Sequence, residues 1–492
     1  MVKQKLTEMF LYRWRYVLGY GLFAIILALL LWLAGLYIPG GLTSGEIHSA
    51  LISDGLNPAH LFSLAPQELL FLPYRLLQAA SIAVFGFSSV SIKLPSLILA
   101  FFSALGILYL VNLWFKRNVA VIACLIAVTT TQFLLAAQSG QPGISYIFLT
   151  VWILVAASLI AQRSALAHIW VIGGFILAGI GLYLPLNVYV LIALIVTALI
   201  HPHARHTLLH KASRPILAIG GILFLVIISP LIIGTINTSD LLLQLLGIPH
   251  DWGVVGENAK ILLSQYASFA APSSADVVLP VYGFGTFLLI MLGLYRMFTT
   301  KYTTKSYVIS FWLIFLLPLV FLNPSYINIT FIPVILLVAL GIDYLIWSWY
   351  RLFPKNPYAR VFGLVPLAVL VIGLVGSSID RYAYGYHYDR SVYTQYNFDL
   401  GLLSKKLRTL GPSATVHLVV KESDQPLYRA FATHQRDIKR LTVSSEVSIT
   451  GSDITIIERG LHTGVTTVPT DILVAKTSEA GDRFYLYKNP TR

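Results

Sequence analysis

A chain of 492 residues with 57% hydrophobic and 11% charged residues and a mean hydropathy of +0.77 lies outside the composition of soluble globular domains, which excludes a cytosolic enzyme and a disordered chain. No series of alternating ten-residue strands marks an outer-membrane barrel, so the composition predicts a polytopic α-helical membrane protein. The 34 basic against 21 acidic residues, a formal charge of +13, then mark cytoplasmic loops rather than nucleic-acid contacts.

The first apolar segment, Tyr16 to Ile38, follows Lys3, Lys5, Arg13 and Arg15. It is long and lacks a small-residue cleavage site, which predicts an anchor with a cytoplasmic N-terminus. Further spans are expected near 89–114, 119–137, 143–161, 167–183, 185–200, 215–235, 278–297, 307–322, 326–349 and 361–378, for about 11 transmembrane helices. The single cysteine, Cys124, falls within the run Val119 to Ala137, which excludes a disulfide framework, a CxxC pair and a cysteine metal site. The segment Glu68 to Phe85 carries Glu68, Pro73, Arg75 and Gln78 among its apolar residues. Only if it lies along the outer surface do the loops with Lys116–Arg117, Arg163, Arg205–Lys211–Arg214, Arg296–Lys301–Lys305 and Arg351–Lys355–Arg360 all fall inside. It therefore reads as an interfacial helix, its apolar face in lipid and its polar residues toward headgroups or a cavity.

This topology leaves three outer segments, about 39–88, 236–277 and 379 onward, and divides the chain into a transmembrane domain, 1–378, and an extracytoplasmic α/β domain, 379–492. In the tail, Leu400–Leu410 reads as an amphipathic helix, and Thr415–Val420, Asp453–Ile457, Asp471–Ala475 and Arg483–Tyr487 read as strands. No internal repeat is apparent, against the pattern of many secondary transporters.

The first outer loop opens Gly40-Gly41-Leu42-Thr43-Ser44-Gly45-Glu46-Ile47-His48. A carboxylate beside apolar walls suits proton abstraction, which makes Glu46 the candidate general base; the competing reading is a solvated or helix-starting acid. Asp54 and His60 follow, and His48, His60 and a carboxylate match no zinc spacing. The second outer loop mixes Asp240, His250, Asp251, Trp252, Glu257, Gln265 and Tyr266, residues that either cover a cavity or anchor the interface. The cluster His201-Pro202-His203-Ala204-Arg205-His206 reads as a cationic juxtamembrane loop rather than a metal tract.

A first span, an acidic turn, a Pro-initiated interfacial helix ending Phe85-Gly86-Phe87, Lys93 before Leu94-Pro95-Ser96, and a span closed by Lys116-Arg117 together resemble the GT-C membrane glycosyltransferases. The branch resembled is glycosyltransferase family 39, the protein O-mannosyltransferases and aminoarabinose transferases. The resemblance implies inverting transfer of a sugar from a polyprenyl phosphate to an acceptor hydroxyl of a lipid, glycan or protein, on the outer face of the plasma membrane. It implies a lipid-phosphate site at Arg75 and Lys93, since the departing phosphate needs cations. It also implies a cavity that His48, Asp54, His60, Gln138 and Gln141 would line. No cofactor is fixed, and a divalent metal stays open. Where the family has an Asp-Glu pair this chain has Gly45-Glu46, and where it has an Arg and a Pro-Asp pair this chain has Gln138-Ser139-Gly140-Gln141-Pro142-Gly143. Two other readings stand beside this one. A noncatalytic scaffold of the same fold is favoured by Gly45 and Gly143; a transporter or flippase would call for charges deep in the spans, where Asp343 is the partial case.

Overall fold

The computed structural model describes residues 41–162, 166–202, 205–206, 214–248, 255–267, 283–300, 303–352, 362–388, 395–396, 398–446, 454–464, 467–474 and 482–488, with Gly21, Ala24, Ile25, Leu27, Ala28 and Leu31 from the first apolar segment. Helix α1, Ser44–Asp54, starts at a capping box in which the Thr43 side chain accepts from the Glu46 N–H and the Glu46 side chain accepts from the Thr43 N–H. A 3₁₀ segment, Pro58–Ser63, leads to α2, Leu72–Phe85. At 14 residues α2 is about 21 Å long, too short for a hydrocarbon core of about 30 Å. Its Tyr74, Arg75, Gln78, Ser81 and Ile82 are buried while Leu77, Val84 and Phe85 are exposed. The helix thus turns its polar residues into the protein and leaves an apolar stripe exposed.

The long helix α3, Ser89–Trp114, packs closely on α6, Gly143–Gln162, at Gly106, where a Cβ would stand 2.3 Å from a Val151 side-chain carbon. Between them the expected span 119–137 is two helices, α4, Arg117–Thr129, and α5, Thr131–Gln138, bent by 60°. The Thr130 side chain accepts from the Phe133 N–H there, capping the second helix and fixing the bend. Helices α7, Ala167–Gly181, and α8, Val188–Ile200, are shorter than the predicted spans, because the connection around Tyr183 to Asn187 unwinds. Next come α9, Arg214–Asn237, the short α10, Ser239–Leu246, and α11, Val255–Ala267. The remaining bundle is α12, Phe284–Thr299, α13, Thr304–Leu322, α14, Phe331–Leu352, and α15, Leu364–Tyr388. Among the described residues six helices are long and apolar enough to cross a membrane, or seven with the bent pair counted as one span. The expected count of about eleven is not reached among the described residues: three of the expected spans are apolar helices of 13 to 16 residues, and most of the first lies outside the described residues.

The tail begins beyond α15, which runs ten residues past the expected boundary at 378. Helix α16, Leu400–Leu410, precedes β1, Thr415–Val419, α17, Gln425–His434, and β2, Arg440–Ser444. Strands β3, Ile454–Glu458, β4, Asp471–Val474, and β5, Asp482–Lys488, complete a five-stranded sheet of order β2-β1-β3-β5-β4. The pairs β1–β2 and β1–β3 are parallel, and β5 is antiparallel to both β3 and β4. Its core is not closed on itself. Leu400, Leu403, Leu407, Val416 and Phe431 cluster with Leu42, Ile47, Ala50, Ile82, Phe87 and Ile92 from α1, α2 and the start of α3. The sheet domain thereby buries the back of the helix that carries Glu46.

Candidate functional site

Glu46 sits in the first turn of α1 at 1% exposure. Oε2 accepts from the Thr43 N–H at 2.8 Å and Oε1 from the Gly140 N–H at 2.7 Å, with Lys93 Nζ 3.5 Å from Oε1. Lys93 also donates to the Gly41 carbonyl at 3.2 Å and lies 5.2 Å from the centre of the Tyr396 ring. One carboxylate thus joins the segment before α1, the turn before α6 and the start of α3. Gln78 braces the same turn from below: its amide donates to the carbonyls of Gly140, at 2.8 Å, and Ile92, and its oxygen accepts from Ser49 and Ser53. All the hydrogen-bonding capacity of this fully buried amide is engaged, which aligns α1, α2 and α3 around the Gly140 peptide.

The tail supplies the outer wall. Leu42 and Phe398 exchange two backbone hydrogen bonds, and a Cβ at Gly41 would stand 2.1 Å from the Tyr396 carbonyl oxygen, so only glycine fits there. Burial pushes the Tyr396 phenol up, with Glu46 adding to the shift. A Cβ at Gly45 would stand 2.3 Å from Gln141 Nε2. The exposed Gln141 side chain therefore covers the surface of α1 that a larger residue at position 45 would occupy.

The other candidates divide. Gln138 is buried and donates to the Leu31 carbonyl, so it holds the first span rather than facing Glu46. Asp54 Oδ1 lies 2.7 Å from Nε2 of His434, whose ring stacks on Phe87, so Asp54 docks the tail onto α1. His48 and His60 are exposed, and among the described residues no group of three His, Cys, Asp or Glu side chains could hold a metal ion. Of the second outer loop, Asp240 lies on α10 and Glu257 on α11, while His250, Asp251 and Trp252 lie outside the described residues.

Arg75 and Lys93 are in different situations. Lys93 is engaged as described, whereas Arg75 is buried at 8% exposure and its Nε and Nη1 have no hydrogen-bond partner. Burial pushes its pKa down to about 10, opposed by Glu68, whose Oε2 is bonded to the Ala65 N–H. On the same helix Leu72, Pro73, Tyr74, Leu76 and Leu77 line a cavity of about 690 Å³ that α6, α7 and α9 close with residues such as Leu149, Leu177 and Ile227. Its walls are almost wholly apolar, and nothing in the sequence marks it, because its lining comes from five separate helices, α2, α3, α6, α7 and α9.

A family model described as dolichyl-phosphate-mannose-protein mannosyltransferase matches residues 73–233, a segment that holds Arg75, Lys93 and Gln141 but not Glu46. Among solved structures, ArnT from Cupriavidus metallidurans bound to undecaprenyl phosphate is similar at a TM-score of 0.51 and 11% identity, over 95% of this chain and 97% of that one. The fold is GT-C-like. The apo state of the same ArnT matches at 0.50 and 12% identity, over 96% of this chain and 98% of that one. The Archaeoglobus fulgidus oligosaccharyltransferase tethered with an acceptor peptide reaches 0.45 at 12% identity, over 83% and 63% of the respective chains. No curated protein matches the sequence.

Proposed function

We propose that the chain is a membrane glycosyltransferase that moves a sugar from a polyprenyl-phosphate donor to an acceptor hydroxyl on the extracytoplasmic face. The observation that carries this reading is Arg75. A guanidinium with two nitrogens, Nε and Nη1, buried without partners is costly unless a ligand anion completes it, and here it shares a helix with an apolar cavity suited to a polyprenyl chain. The solved ArnT bound to undecaprenyl phosphate supports the same donor class. In this reading the acceptor oxygen attacks the anomeric carbon, the bond from that carbon to the phosphate oxygen breaks, and the phosphate leaves with the electron pair toward Arg75. The acceptor proton goes to Glu46. A carboxylate offers about four lone-pair sites; Thr43, Gly140 and Lys93 take three, and the fourth, on Oε2, is reached when the Gln141 side chain moves off Gly45. The reading includes about eleven spans in the plasma membrane, a cytoplasmic N-terminus and an extracytoplasmic tail, with the basic loops inside.

A second reading, a noncatalytic scaffold that binds the same lipid, draws on one observation: both oxygens of Glu46 are already held and Gln141 covers Gly45. Both readings place the lipid in the same cavity. A polyprenyl phosphate with a photoreactive group on its chain should crosslink to residues 72–77 and 177–184 in the purified protein. Crosslinks confined to other faces of the bundle would remove the donor site from this cavity and the reading with it.

A further inference from the structure

A second cavity opens at the far end of α3. Lys93 and Trp114 stand toward opposite ends of this helix, about 31 Å apart at 1.5 Å per residue, so the cavity lies about one hydrocarbon thickness from Glu46. It holds about 470 Å³, and its apolar walls include Leu113, Leu154, Ile195 and Val308, from α3, α6, α8 and α13. Its polar lining can be accounted for group by group. The Trp114 indole donates to the Ser158 hydroxyl at 2.7 Å, which donates to the Leu154 carbonyl at 2.6 Å. The Thr303 and Ser306 hydroxyls are 2.7 Å apart, Thr304 Oγ1 lies 3.4 Å from His201 Nε2, and Gln162 donates to the Leu113 carbonyl. The Thr197 hydroxyl and the Lys305 ammonium, both in the lining, are left over. Thr197 is 2% exposed and its Oγ1 is buried without a partner, where a helical hydroxyl ordinarily donates one turn back, as Ser158 does. Lys305 gives one hydrogen bond, to the Trp114 carbonyl, and its Nζ lies 4.6 Å from the centre of the Phe115 ring, which leaves ammonium donors to spare. Among the described residues no carboxylate pairs with it, and Asp343 acts on it only through space. His201 ties the two together: its N–H donates to the Thr197 carbonyl at 2.8 Å, and its ring meets Thr304, the residue before Lys305.

We propose that this cavity is a binding site for an anionic phospholipid, with one acyl chain in the apolar space, the phosphate at Lys305 and an oxygen of the same lipid accepting from Thr197. A cation in the wall of an apolar cavity inside a membrane bundle calls for an anion, and the apolar walls call for a chain. A phospholipid supplies both. The surroundings favour that source: Lys116 and Arg117 follow directly on α3 and are exposed, adding positive charge at this end of the bundle. In the topology proposed above this end faces the cytoplasmic leaflet, where anionic phospholipid concentrates. The cavity is also the smaller of the two, about 470 against about 690 Å³, as an acyl chain is shorter than a polyprenyl chain. The inference stands apart from the donor site and from whether the chain transfers a sugar.

The test titrates delipidated full-length protein in detergent with phosphatidylglycerol and with phosphatidylcholine of the same acyl chains. The wild type should bind the anionic lipid about tenfold more tightly. Lys305→Gln keeps a donor for the Trp114 carbonyl and removes the charge, so it should lose that preference, whereas Lys116→Gln, at the exposed surface, should keep most of it. Thr197→Val keeps the shape of the side chain and should weaken phosphatidylglycerol binding several-fold while leaving the thermal midpoint of the unliganded protein unchanged or raised, because a hydroxyl that bonds only ligand contributes nothing to the unliganded fold. Ala161→Leu adds apolar bulk to the cavity wall and should weaken both lipids. Equal affinity of the wild type for the two lipids would overturn the proposal. So would unchanged phosphatidylglycerol affinity in Thr197→Val and Ala161→Leu, the variants that carry the test if Lys305→Gln fails to fold. Equal losses in Lys305→Gln and Lys116→Gln would reduce the effect to diffuse surface attraction and remove the site, and displacement of bound phosphatidylglycerol by undecaprenyl phosphate would overturn the phospholipid assignment in favour of a polyprenyl lipid.

Discussion

Replacing Glu46 by Gln is the obvious way to delete a general base, and the structure predicts that it does more than that. Each oxygen of the Glu46 carboxylate accepts a main-chain N–H, from Thr43 at 2.8 Å and from Gly140 at 2.7 Å, at 1% exposure. A carboxamide has one acceptor oxygen, so its NH₂ must face one of those N–H groups, leaving two buried donors opposed. At about 1–3 kcal/mol for each unsatisfied group, and with the charge opposite Lys93 gone, the variant should be destabilised by about 2–4 kcal/mol. Thermal unfolding of the purified protein, followed by intrinsic fluorescence, should show Glu46→Gln melting several degrees below wild type. Glu46→Ala should not be much worse. If Glu46→Gln unfolds within a degree of wild type, the carboxylate does not tie the first loop to the turn before α6, and the arrangement of the site described here is wrong. The loss of activity in this variant therefore counts as evidence for a base only at temperatures where its fold is intact.

Gly41→Ala puts a Cβ 2.1 Å from the Tyr396 carbonyl and should lower the thermal midpoint by several degrees, whereas Gly55→Ala, which meets nothing nearer than 3.5 Å, should lower it little; equal midpoints would mean that the tail does not close on the first loop. Gly45→Asp displaces only the far end of the flexible Gln141 side chain, so it should fold with at most a small loss, recovered by adding Gln141→Ala; a large loss that Gln141→Ala fails to recover would show that Gln141 does not fill that space. Burial lowers the Arg75 pKa to about 10, still well above neutral, so its guanidinium stays charged and affinity for undecaprenyl phosphate should be level from pH 8 to 9; a tenfold fall across that interval would mean that a group other than Arg75 governs phosphate binding.

Much of this arrangement can be read from apolar length and alternation, and the exceptions share a cause. The long spans are visible because twenty consecutive apolar residues leave few alternatives, and α16 because Leu400, Leu403 and Leu407 repeat at helical spacing. The 60° bend at Thr130 is hidden because the cap is a threonine inside an unbroken apolar run. Helix α17 and strand β2 are missed because their burial depends on α1 and the start of α3, far away in sequence. Glu46 and Lys93 can be proposed as site residues, yet the partner that matters most to Glu46 is the main chain of Gly140, which has no side-chain signature. Gln78 reads as one more polar residue on an interfacial helix until its four partners are known.

The central claim, transfer from a polyprenyl-phosphate sugar with Arg75 on the phosphate, is tested most directly by a single-turnover reaction. Purified protein in excess would be mixed with labelled undecaprenyl-phosphate sugars and a mixture of lipid, glycan and peptide acceptors, and free undecaprenyl phosphate followed with time. The account predicts acceptor-dependent release by the wild type and a rate at least tenfold lower for Arg75→Gln. Wild-type protein that binds the donor but releases no undecaprenyl phosphate with any sugar or acceptor would contradict it and leave the noncatalytic reading.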